Sequence, residues 1–572
     1  MFNDNESKRV RYSRLAAQLK NERSSFEADW TESNNWILSR RARFFTSDTN
    51  KGGRRNQRII DSTGTLAVRT LRAGMVSGIT SPSRDWKKLT VDDPDLAEFG
   101  SVKRWLSIVN DRMSNSFLRS NFYKVMPNIY GDASVFATSG MFVEEDFSGG
   151  VSHFTSLPVG SYWIANDDKM KVRVMMREFP MTVRQIVSKF GVKPGTRNID
   201  WKNISEYVKL LWELGEYEAW IDVAHMVHEN TEYDENKFAD KKFVSCYYEL
   251  GSSNMQTGVY LTRKDEDVYL RESGYDYFPG LFLRWGVTGG DVYGTDCPGF
   301  DAIGDIKQLQ HGEKKAAKAI DKGVDPAMVG PSALRNQKAS ILPGDITYTD
   351  EREGMKGFRQ AHEVNLDLNH LEMKQAQIRQ RIQKAFYEDL FLMLSESDRR
   401  EITAREIDER HEEKLQALGP VLEQTNELLD ELIDIQFDFM LRQGEIPPPP
   451  PELEGMDLKV EYVSIMAQAQ KLAGVANLER FAGTAANIAQ LTGSVPKKFN
   501  IDQFIDVYGD RLSVDPTIIR TDEEVEAMNQ AEQQAMQQQQ AVENIERAAG
   551  AANKLAGAKL EEDSALKRLV GK

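Results

Sequence analysis

Cysteine is almost absent from this chain. Two residues, Cys246 and Cys297, among 572 cannot form a disulfide framework, so the chain reads as one built in a reducing compartment. No run of 18 or more apolar residues occurs, which excludes an ordinary transmembrane helix. The opening residues, MFNDNESKRVRYSRL, lack the apolar core of a signal peptide. An excess of positive charge is missing too: 73 Lys and Arg stand against 88 Asp and Glu, a formal net charge of −15. That disfavours a sequence-independent DNA binder, whose affinity comes from neutralising phosphates, but it does not exclude a protein that must let DNA slide past. The phosphate cradle G-x-x-x-x-G-K-[ST] of a packaging ATPase is absent, as are G-x-G-x-x-G, H-E-x-x-H, C-x-x-C and G-x-S-x-G. No enzyme, cofactor or metal signature is left to build on.

What is present is a chain long enough for about four structural units. Leu15, Leu19, Phe26 and Trp30 recur at helical intervals and predict a helix over 7–40. A basic segment follows, from Arg40-Arg41 and Arg43 to Arg54-Arg55 and Arg58. It is either a solvated loop or a contact for an acidic partner or nucleic acid. Helices are expected over 62–79 and 102–117. From 133 to 290, segments such as KVRVMMREF and FVSCYYEL, bounded by Gly, Pro, Asn and Asp, predict a β-rich block with a short helix near 182–190. Beyond Pro298 the pattern is mostly helical: 299–322, a turn-rich stretch over 324–363, then 364–394, whose Leu371, Ile378, Ile382, Ala385 and Phe386 share one face. The polar run Ser395, Glu396, Ser397, Asp398, Arg399, Arg400 and Glu401 reads as an exposed loop. Thr403 and Glu406 have capping-box spacing and open a helix to about 442, kinked where Gly419-Pro420 removes a backbone bond. Pro447 to Pro451 form a stiff spacer that marks a unit boundary. The Ala/Gln-rich tail is either a helix in an assembly or a frayed end.

Isolated candidates for chemistry have plain structural readings. His225 and His228 lie three apart in a predicted strand, so they face opposite sides and do not share a metal. Asp92-Asp93 and Asp167-Asp168 read as acidic turns. One pattern is left. Lys307, His311, Lys314, Lys318 and Lys322 fall on one face of helix 299–322, with Phe300, Ile303, Ile306 and Leu309 on the other side. The face is either solvated or, repeated around an axis, a ring of positive charge.

Several stretches in order resemble the portal proteins, or head-to-tail connectors, of short-tailed bacteriophages. They are Arg72 through Thr80-Ser-Pro82 to Trp86; Tyr130-Gly-Asp-Ala with Met141-Phe-Val-Glu-Glu145; Tyr293-Gly-Thr-Asp-Cys-Pro298; Thr403-Ala-Arg-Glu-Ile407 with Leu418-Gly-Pro420; and Val460-Glu-Tyr-Val with Arg520-Thr-Asp-Glu-Glu524. The chain departs from the family pattern at Arg405 and at Ile465-Met466.

The resemblance implies an α+β, mostly helical portal fold, assembled as a ring of twelve. It implies N-terminal helices and a β-rich wing over 1–297, stem helices at 298–323 and 364–394, a clip at 324–363 and a tunnel loop at 395–402. A kinked wing helix would cover 403–446, a crown 447–515, and a C-terminal helical tail or barrel 516–572. It implies a non-enzymatic channel at one capsid vertex for double-stranded DNA entry and exit. The basic stripe, Arg399 and Arg400 would be its DNA-channel candidates. The implied partners are the major capsid protein, scaffolding protein, terminase motor, and tail adaptor and ejection proteins; the implied location is the virion, after assembly in the host bacterial cytoplasm. The alternatives are a terminase-like packaging enzyme or another virion adaptor or scaffold.

Overall fold

The computed structural model describes residues 8–43, 55–93, 99–147, 149–192, 198–233, 240–252, 268–324, 328–329, 359–360, 368–396, 418–453, 458–463, 475–492 and isolated positions up to 548. In chain order the described elements begin with α1 (Lys8–Ser24), α2 (Glu27–Trp36), α3 (Thr63–Gly78), β1 (Lys87–Val91), α4 (Gly100–Arg119) and α5 (Phe122–Phe136). The β-rich block holds β2 (Thr138–Asp146), β3 (Val151–Leu157), β4 (Tyr162–Asn166), β5 (Val172–Thr182), α6 (Val183–Ile186), α7 (Glu206–Glu213), β6 (Trp220–Glu229), β7 (Phe243–Ser252), β8 (Arg271–Tyr275) and β9 (Gly280–Arg284). Then come α8 (Pro298–Val324), β10 (Met328–Val329), β11 (Arg359–Gln360), α9 (Leu368–Ala385), α10 (Glu388–Glu396), α11 (Gly419–Arg442), β12 (Leu458–Tyr462) and α12 (Val475–Thr492). The mixture of helix and sheet is α+β.

One compact unit comprises residues 1–92 and 101–470, and a second comprises 93–100 and 471–572. The first unit continues through the proline run, because β12 pairs antiparallel with β1, Val460 opposite Leu89. Within this unit β4-β5-β6-β7-β8 form an antiparallel sheet and β3-β2-β9 a smaller one. The expected 7–40 helix is two helices, α1 and α2. Tyr12, Ala16 and Leu19 of α1 pack on Trp163, Met176, Met226, Cys246 and Tyr248 of the larger sheet, and Trp30 of α2 is fully buried.

α5 has no counterpart in the sequence reading. Its partly exposed positions, Tyr123, Lys124, Pro127 and Asn128, are confined to the first half, and Pro127, ordinarily a helix breaker, stands inside it, which hides the helical period. It runs straight into β2 through Ala137, whose φ of 59° ends the helix in the left-handed region. Two glycines let the chain close on this junction. A side chain at Gly299 would meet the Val135 backbone at 2.7 Å, and one at Gly294 would meet the Ala137 carbonyl oxygen at 2.1 Å.

The expected helix over 364–394 is also divided. α9 ends at Ala385, Tyr387 takes a φ of 55°, and α10 begins at Glu388. The break swings Phe391 onto Gly74 of α3, while Ile378, Ile382 and Phe386 stay in the core. The described helix α11 begins at Gly419, so Pro420 stands in its first turn, where a missing N–H costs nothing. The expected cap at Thr403 and Glu406 lies outside the described residues. So do Ser397, Asp398, Arg399, Arg400 and Glu401, and most of 324–363.

Candidate functional site

α8 is positioned from its first turn. Pro298 pre-sets the backbone, Asp301 stands at the positive end of the helix dipole and Lys322 at the negative end. Ala302, Ile306 and Leu309 are buried. Burial of Ile306 and Leu309 stabilises by about 1.5–3 kcal/mol each. Ile306 sits over Gly64 of α3, where a Cβ would approach its Cδ1 to 2.9 Å. Phe300 and Ile303 are half-buried.

Gln310 shares this side and is 3% exposed. Its Oε1 accepts from the backbone N–H groups of Ile60 (2.6 Å) and Asp61 (2.8 Å), and its Nε2 donates to the Asp61 carbonyl at 2.7 Å. The side-chain amide thereby pairs three backbone groups of residues 60 and 61 and fixes that turn on α8.

α9 is tied to α8 by charge. Arg379 donates to Asp61 at 2.9 Å and to Glu313 at 2.5 Å, and Arg381 makes a bidentate contact with Asp305 at 3.0 and 2.5 Å. Burial works against the Asp61 carboxylate. Hydrogen bonds from Thr63 and the Arg379 guanidinium outweigh it and hold the group below the usual range. The sequence carries the signal for this seam, acids at 305 and 313 on one helix and bases at 379 and 381 on the next, but does not say that the two helices pair.

The basic stripe emerges on the side of α8 away from these contacts. Lys307, His311, Lys314, Lys318 and Lys322 are all exposed. Lys307 is engaged by Glu32 of α2. His311, Lys314, Lys318 and Lys322 make no ion pair with a described residue. Within the chain, then, the acids of α8 that meet α9 are spent on arginines, and the lysines point elsewhere. Ser395 and Glu396 are the last two residues of α10.

The histidine pair falls as strand alternation requires. His225 is buried, stacked on Tyr247 with ring centroids 3.7 Å apart. Arg177 Nε donates to its Nδ1 at 3.0 Å, which leaves the Nε2–H to donate to Ser245 Oγ at 2.9 Å. Burial and then the Arg177 charge hold its pKa well below the usual histidine value, so the ring is neutral. His228 packs against Tyr12, on α1. Among the described residues no His, Cys, Asp and Glu cluster could hold a metal. Asp167 is a turn residue, its Oδ1 accepting from the backbone N–H groups of Lys169 and Lys171.

The basic segment 40–58 divides. Arg41 turns inward: its Nε lies 2.7 and 2.9 Å from the two carboxylate oxygens of buried Asp132, and another guanidinium nitrogen donates to Ser156. Arg58 is exposed.

Comparison with known proteins bears on the whole chain. A family model described as bacteriophage head to tail connecting protein matches residues 9–519. The chain is 41% identical over 564 residues to the portal protein of Salmonella phage epsilon15, covering 98% of both chains. It is 40% identical over 532 residues to the probable portal protein of Bordetella phage BPP-1, covering 92% of both.

Proposed function

Since this chain belongs to the bacteriophage head to tail connecting protein family, we propose that it assembles as a ring of twelve at one capsid vertex. Its role is that of a structural portal component of the virion. The finer reading is a conduit through which double-stranded DNA enters during packaging and leaves during ejection. The same ring would be a platform for the major capsid and scaffolding proteins, the terminase motor, and the tail adaptor and ejection proteins. Assembly would take place in the host bacterial cytoplasm.

The observation that carries this reading is the end-to-end correspondence, 98% of each chain, with a portal protein. Light scattering and negative-stain images of the purified protein test it. Closed rings are expected. A species that stays monomeric at high concentration and turns over ATP would establish the packaging-enzyme alternative instead.

We assign α8 and α9 to the stem and the exposed face of α8 to the channel. Its cations would act weakly and in number. A lysine separated from phosphate by water gains little per contact at physiological salt, where charges are screened within about 8 Å. Repetition around a ring would centre the duplex without gripping it, and the acidic balance of the chain limits drag. Arg399 and Arg400, between the second stem helix and Thr403, would stand near the constriction with the rest of the tunnel loop, and Thr403 and Glu406 would cap the helix beyond it. Replacing Lys314 and Lys318 together by Ala should leave rings intact and lower retention of packaged DNA, measured as nuclease-protected genome per particle. Loss of the ring itself would place these lysines between subunits and remove them from the channel.

A further inference from the structure

The channel reading uses one helix face, yet the fold fixes a second basic element beside it. Arg58 is two residues before Ile60, so its Cα lies within about 7 Å of a residue hydrogen-bonded to Gln310. The turn is fixed on the Arg58 side as well, by the bond from the Ile59 N–H to the Asn56 carbonyl at 3.1 Å. Gln310 is the immediate neighbour of His311 and one helical turn before Lys314. Residues some 250 positions apart are thus held together by three hydrogen bonds to a buried amide.

The local acids do not cancel the positive charge. Asp61 is committed to Arg379 and to the Thr63 N–H, and Glu313 is committed to Arg379. Asp321, exposed further along α8, is the acid that flanks Lys318 and Lys322. Arg58 itself is exposed and makes no ion pair with a described residue. An arginine differs from the helix lysines in presenting a planar fork that matches two phosphate oxygens at once.

We propose that Arg58 forms one polyanion-binding surface with His311 and Lys314, a contact for DNA phosphates made by two elements of the chain rather than by the helix alone. The proposal rests on the channel reading above. It separates the basic segment by function: Arg41 holds the fold, and Arg58 meets the nucleic acid.

The test uses assembled full-length protein and a short blunt-ended DNA duplex, with affinity measured across a salt series. Arg58→Gln should weaken binding about threefold to tenfold and lower the slope of log affinity against log salt by about 1. Arg58→Lys should restore most of the slope and less of the affinity. The Lys314→Gln/Lys318→Gln pair is measured in parallel, and thermal melting confirms that each variant is folded. A reduced slope in both the Arg58 and the lysine variants supports the shared surface. A reduced slope in the lysine variant alone overturns the role of Arg58 and leaves the channel reading in place. An unchanged slope in both overturns the two together, and a loss confined to Arg58→Gln overturns the shared surface.

Discussion

Arg41→Ala is expected to lower the stability of the first unit by about 3–5 kcal/mol at alkaline pH, because it strands a charge in the interior. Asp132 is 1% exposed, and its carboxylate is held by Arg41 through two contacts of 2.7 and 2.9 Å. Even so, burial outweighs Arg41 and the neighbouring Arg72, and the group is pushed up to about 6 from 3.8. Between those values the native state keeps a proton that the unfolded chain has lost. Stability therefore falls as pH rises through that window and is level above it. Removing Arg41 raises the folded value further, so the window extends upward. The deficit of the variant should be full only near about pH 10, above the variant's raised folded value, and shrink toward about pH 5, where the carboxyl takes up a proton. Asp132→Asn should cost less, because it leaves no buried charge and Arg41, 28% exposed, can reach water. Urea unfolding of the variants at the two pH values checks this. A loss below about 1 kcal/mol that does not change with pH would mean that the pair contributes no more than a surface salt bridge.

That pair also marks how far the sequence could be read. Arg41 and Arg58 belong to one basic segment, and composition alone treats them alike. Arg41 meets a residue 91 positions away, while Ile60, two residues beyond Arg58, meets one 250 positions away, and such pairings leave no local trace. α8 was legible because one side is buried and the other wet, which writes a helical period into the chain. α5 was not, because Pro127 interrupts it and its second half is buried on all sides, which leaves only a short polar stretch at its start. Strand alternation placed His225 and His228 on opposite faces without any knowledge of the sheet. By contrast, β1 and β12 are five residues each and depend on one another across the chain, so neither stood out alone. The basic stripe was legible as a face of α8, but not the Arg379 and Arg381 seam that decides which side of the helix stays open.

The division between α9 and α10 shows the same dependence, and it carries the other large expected effect. Phe391→Ala should destabilise by about 3–5 kcal/mol, the usual range for truncating a buried phenylalanine. The ring is 4% exposed and lies directly on the Gly74 backbone of α3. A Cβ added at Gly74 would stand 2.0 Å from Phe391 Cδ1, 2.2 Å from Cγ and 2.7 Å from Cβ. Gly74→Ala alone must therefore displace the ring, at a cost of about 1–3 kcal/mol for an overpacked site. In the Phe391→Ala background the two closest contacts vanish and only the Cβ–Cβ approach remains, so the added methyl occupies part of the space the ring has left. The double variant should be more stable than the sum of the single losses predicts, by about 1 kcal/mol or more. Additive losses in a denaturation cycle would show that α3 and α10 do not pack through this pair. The left-handed turn at Tyr387 would then need another explanation, since a non-glycine residue holds φ near 55° only where its surroundings fix it, here with Phe386 and Phe391 buried on either side.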